Sequence, residues 1–232
     1  MRDITSDLRG RLPAPLLERL LAVENNLGHQ VTFIEDEATP GGALGSASPD
    51  GIVRLTRRAR GNFSVIGEEI LHLHRHAQGY PLIEPGEVAR RQRYARGLMQ
   101  LAGHFDEFAF FPVLEGMGLD PRGQILPTLE PARLALENLL PEIQHDGPTD
   151  EWKVLLSVTH VQTTLLAPES RDRDEFLQVL NTPPLRDYMR PASRLADEVR
   201  AARDEPPDAV RIRMQRCLRD HLALPVDAAT VR

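Results

Sequence analysis

The stretch Val65-Ile66-Gly67-Glu68-Glu69-Ile70-Leu71-His72-Leu73-His74-Arg75-His76 sets apolar and ionisable residues on a helical period. At about 100 degrees per residue, Glu68, Glu69, His72 and His76 fall within an arc of about 100 degrees. Ile66, Ile70 and Leu73 take the adjoining flank, and His74 points roughly the opposite way from His72. The helix is expected to begin near Asn62 or Ser64 and to close at Gly79-Tyr80-Pro81, a glycine and a proline where a helix end wants them. Four ionisable groups beside an apolar stripe are costly to bury unless a metal ion, a proton or a partner charge compensates them. Imidazoles at i and i+4, here His72 and His76, make a bidentate platform for a divalent cation, and a nearby carboxylate can complete the shell or activate bound water. The plainer alternative is an amphipathic helix end whose glutamates and histidines simply meet solvent.

Outward from this helix the period changes. His29-Gln-Val-Thr-Phe-Ile-Glu35 and Gly51-Ile-Val-Arg-Leu-Thr56 read as strands, and residues 39–51 between them read as loop, so the expectation is an antiparallel ribbon with a long connection. Leu16, Leu17, Leu20, Leu21 and Val23 mark an earlier helix over Pro15 to Asn25, stopped at Gly28. A further helix is expected from Glu87 to about Phe110, ending or bending before Pro112. Beyond it, helical segments near 130–140, 150–166, 173–180, 190–204 and 207–222 are broken at Gly147-Pro148, Pro183-Pro184 and Pro206-Pro207. The last ten or so residues are expected to be poorly ordered. The fold class is thus α+β and helix-rich, with residues 1–125 as an α+β core and 126–232 as a helical extension packed on it.

A chain of 232 residues with 41% hydrophobic content buries a core without disulfides or structural metal. No stretch has the roughly 18 or more uninterrupted apolar residues of a membrane span, and the first residues lack an apolar signal core. The single cysteine, Cys217, fits a reducing cytoplasm and reads as packing. A net charge of −6 argues against nucleic-acid or anionic-membrane partners. Lys153 is the only lysine, which points to a GC-rich bacterial genome.

Two strands followed by Val65-Ile-Gly-Glu-Glu-Ile-Leu-His72-Leu-His resemble the core of the minimal bacterial zincin-like metallopeptidases, including the ImmA/IrrE-type group. Those families carry His-Glu-x-x-His, where this chain has Glu68-Glu69-x-x-His72. The resemblance spans about residues 10–115. It implies a zincin-like core acting on a peptide or protein, with Glu69 as general base, His72 as metal ligand and Glu68 as an oxygen ligand in place of the first imidazole. It also implies a third ligand from a later helix, for which Glu107 is the first choice and His104 the second, in Leu101-Ala-Gly-His104-Phe-Asp106-Glu107-Phe. Zinc is the expected ion. Exchange of an imidazole for a carboxylate also admits manganese or iron.

Two other functions use the same chain differently. An inactive zincin-like protein that binds a regulatory partner is favoured by the missing first histidine. A carboxylate di-iron bundle would use Glu24, Glu69-x-x-His72, Glu107 and Glu142-x-x-His145, but the stranded segment 29–61 and the Gly147-Pro148 break count against it. His160, on the apolar segment that begins at Asp150, reads as a satisfied core histidine. No nucleophile elbow or phosphate loop appears.

Overall fold

Phe33, Val53 and Leu55 are fully buried while their chain neighbours Ile34 and Arg54 are only partly covered, the alternation that puts one face of a sheet on a core. The structure, a computed structural model, describes residues 1–37, 44–146 and 149–232, which form a helix-rich α+β protein. These residues cluster into two compact units, Met1–Tyr80 with Phe110–Pro121, and Pro81–Ala109 with Arg122–Arg232.

The first unit holds a four-stranded sheet in the order β1-β2-β4-β3, from β1 (Arg2–Asp3), β2 (Thr32–Glu35), β3 (Gly45–Ser48) and β4 (Ile52–Leu55). The expected ribbon is corrected here: β2 and β4 run parallel, with Phe33 opposite Val53. A strand absent from the sequence reading, β3, pairs antiparallel with β4, with Gly45 opposite Leu55. Parallel neighbours need a crossover, and here the chain between them includes a strand of its own. The turn from β3 to β4 closes with Gly51 N–H donating to Ser48 O at 2.9 Å, and Gly51 has φ 81°, a left-handed conformation that suits glycine. Part of the expected 39–51 loop lies outside the described residues.

Helices α1 (Thr5–Arg9), α2 (Ala14–Leu27) and α3 (Phe63–Ala77) complete this unit together with the end of α5 (Ala95–Gly116). Gly28 ends α2 as its left-handed cap, φ 75°. Leu16 and Leu20 of α2 and Ile66, Ile70 and Leu73 of α3 are fully buried. Burying each of these side chains is worth roughly 1.5–3 kcal/mol, which favours the packing of α3 on α2.

The second unit holds α4 (Glu87–Arg91), the first fifteen residues of α5, α6 (Leu126–Asp146), α7 (Asp150–Val161), α8 (Arg171–Leu180), α9 (Pro183–Ala201) and α10 (Pro207–Arg216). The single helix expected over 87–110 is instead two, broken where Arg93 turns to φ 65°. Pro112 does not stop α5, which continues to Gly116. The break expected at Pro183-Pro184 falls between α8 and α9, and the two prolines start α9, since proline in the first turn forfeits no helical hydrogen bond. π-turns at Gln162–Leu166 and Cys217–His221 extend α7 and α10. The tail expected to be loose forms β6 (Ala229–Val231), antiparallel to β5 (Ile83–Pro85). No helix among the described residues is long and apolar enough to cross a membrane.

Candidate metal centre

Asn62 sets the start of α3: its side-chain oxygen accepts from Ser64 N at 3.1 Å and Val65 N at 3.4 Å, satisfying two of the unpaired donors of the first turn. With that start and the apolar flank buried, the helical period turns Glu68, Glu69, His72 and His76 along one face. The His72 and His76 rings lie near parallel, centroids 6.2 Å apart and planes at 23°. The rings of His72 and Phe110 form a T-shaped pair, centroids 5.0 Å apart and planes at 87°, so the imidazole packs on the end of α5.

Asp106 stands one turn before Phe110 on the same uninterrupted helix. It is 3% exposed, at a place in the run Leu98, Ala102, Asp106, Phe110 where every other member is a buried apolar residue. Ligand atoms of His72, His76 and Asp106 all lie within 4.8 Å of one another. Donors sharing one ion sit about 2.0–2.2 Å from it and so at most about 4.4 Å apart, a spacing small rotamer changes reach from here. Two imidazoles and one carboxylate are a donor set that zinc and ferrous iron both accept, with remaining positions open. This group can hold a metal ion.

Of the residues read from sequence, His72 and His76 belong to the group, and Glu68, His104 and Glu107 do not. Glu68 is half-buried one turn toward the start of α3. His104, 4% exposed, donates from Nδ1 to Glu107 Oε2 at 2.8 Å, so the two candidates for third ligand hold each other. Glu69 is 8% exposed and lies against Gly45 of β3. The signal for Asp106 in the sequence is a single aspartate in an otherwise apolar row spaced by four, Leu98, Ala102, Asp106 and Phe110.

The residues of the di-iron alternative are engaged or exposed elsewhere. Glu24 takes both guanidinium nitrogens of Arg9 and accepts from Val31 N at 2.8 Å, while Glu142 and His145 are exposed. His74 faces away from the group and hydrogen-bonds Gln78; burial, with Arg19 and Arg75 nearby, pushes its pKa down. His160 sits partly buried in α7 with Nε2 3.5 Å from Ser193 Oγ, and burial lowers its pKa too.

Compared with known proteins, the chain matches no protein-family model, no curated protein and no solved structure.

Proposed function

We propose that this protein is a metal-dependent hydrolase of the metallopeptidase type. The observation that carries the reading is the convergence of His72 and His76 with the buried Asp106. His72 and His76 would present neutral imidazole nitrogens from successive turns, and Asp106 would add the one anionic donor. A divalent cation bound there supplies Lewis acidity toward a carbonyl and lowers the pKa of water. Zinc is the ion proposed, with manganese or iron admitted by the same donors.

Glu69 lies on the same face of α3, one turn ahead of His72, and is the proposed general base. Its carboxylate would take a proton from the water that attacks an amide carbonyl, then pass that proton to the departing amine as the C–N bond breaks. The edge strand β3 beside Glu69 offers one side to a substrate backbone, which suits an extended peptide or protein. A reducing cytoplasm is the compartment proposed, consistent with a lone buried Cys217.

Elemental mass spectrometry on untagged protein tests the reading. About one zinc, manganese or iron per chain is expected, lost in His72→Ala and kept in Glu69→Gln, which should abolish cleavage of an unfolded protein substrate. Absence of metal after supplementation would overturn it and favour the inactive, partner-binding alternative, to which the carboxylate at the first motif position, Glu68, already points.

A further inference from the structure

Strand β3 reads Gly45-Ser46-Ala47-Ser48, and small residues let an edge strand approach a helix closely. The approach is tightest at Gly45. A Cβ built there would stand 2.7 Å from Glu69 Oε1, 3.0 Å from its Cγ and 3.1 Å from its Cδ. The space a side chain would fill at position 45 is therefore occupied by the Glu69 carboxylate and the carbon that carries it. A side chain at position 45 would force the carboxylate oxygen to move and push Cγ and Cδ back by a few tenths of an ångström, so the carboxylate would be shifted from its present seat.

Neither partner can drift from this arrangement easily. Gly45 is buried and fixed by its pairing with Leu55, and Thr56 N donates to Leu44 O at 2.9 Å just before it. Glu69 is anchored through α3, whose Ile66, Ile70 and Leu73 are fully buried. We propose that Gly45 is a positioning residue for Glu69: by lacking a side chain it seats the carboxylate on the face of α3 that carries His72 and His76. This inference rests on the hydrolase reading above and adds to it a residue outside the motif helix.

The experiment compares wild type, Gly45→Ala, Glu69→Gln, Glu69→Asp and the double variant Gly45→Ala/Glu69→Asp, each loaded with cobalt(II) as a spectroscopic stand-in. The visible cobalt bands and the cleavage of an unfolded protein substrate are both read. Gly45→Ala is expected to keep one cobalt per chain, to shift the bands as Glu69→Gln does, and to lower kcat about a hundredfold with little change in KM, the size of effect a displaced reacting group produces. Aspartate is one methylene shorter and vacates the space, so adding Gly45→Ala to Glu69→Asp should change neither bands nor rate by more than about twofold. If Gly45→Ala does not fold, folding of the double variant with the bands of Glu69→Asp still supports the coupling.

Wild-type bands and rate in Gly45→Ala, or the same loss on both backgrounds, would overturn the inference alone. Cobalt uptake without cleavage by wild type would overturn the hydrolase reading, and the shared band shift would still decide the role of Gly45. No uptake by wild type would overturn both.

Discussion

His104 Nδ1 lies 2.8 Å from Glu107 Oε2, while Asp106 between them, on the buried line that leads to Phe110, joins His72 and His76. Asp106 and Glu107 point about 100 degrees apart around their helix, and Asp106 is the one whose carboxylate is grouped with the two imidazoles. Asp106→Asn should lower metal affinity by tenfold or more, and Glu107→Gln should leave it within severalfold of wild type. Competition with a chromogenic chelator measures both, and the reverse order would make Glu107 the ligand.

Gly67 tests how tightly α3 is held on the core. A Cβ there would come within 2.7 Å of Leu114 Cδ2 and 3.2 Å of Leu16 Cδ2, both residues fully buried. Gly67→Ala should therefore destabilise by about 1–3 kcal/mol through overpacking, despite the better helix propensity of alanine. Urea unfolding measures the change, and a variant as stable as wild type would show that the leucines give way.

Much of this arrangement could be read from the chain because local chemistry agreed with tertiary structure. Asn62 and Gly28 mark helix ends in both, and the apolar flank of α3 is buried as its period requires. Strand β3 was illegible for a physical reason: Gly-Ser-Ala-Ser has the composition of a turn, and only pairing with β4 makes it a strand. Its omission is also why β2 and β4 were expected to be antiparallel. At the site, His72 and His76 follow from spacing within one helix. Asp106 joins them from another helix about thirty residues along the chain, and the neighbouring His104-x-x-Glu107 pair, which satisfies itself, offers the same donor types in sequence.

In the second unit, the π-turn Gln162–Leu166 leaves four carbonyls to be satisfied from outside the helix. Arg122 Nη1 donates to Leu165 O and Leu166 O, both at 3.0 Å, and Arg173 reaches Thr163 O at 3.0 Å and Thr164 O at 3.3 Å. Arg122→Met keeps much of the side-chain bulk and removes both bonds to the π-turn. A loss of roughly 1–3 kcal/mol is expected from chemical denaturation, since leaving such acceptors unpaired is what is penalised. A neutral result would mean water replaces the guanidinium.

Acid sensitivity should trace to Glu198. Burial alone would raise its pKa, but Arg213 at 2.6 Å, Arg216 at 3.0 Å and His221 at 3.5 Å outweigh burial and hold the carboxyl below its ordinary 4.5. Glu205, paired with the same Arg213, is lowered as well. A depressed folded-state pKa contributes stability that is present above the unfolded value and lost as pH falls through the folded one. Thermal midpoints should therefore drop as pH goes below about 4.5, and Glu198→Gln should start lower but flatten that drop. An equally steep decline in the variant would place the sensitivity elsewhere.

The pairing of β5 with β6 has a bearing on synthesis. Leu82 N donates to Arg232 O and Arg232 N to Leu82 O, at 2.9 and 3.0 Å, so a strand made early is completed only by one made about 150 residues later. At about 5–20 residues per second, β5 waits on the order of ten seconds with its edge unpaired. Helices α6 to α10 can form and pack in that interval, because their contacts are made as they emerge. The small sheet of the second unit therefore cannot close until residue 231 has left the ribosome, however early its helices form.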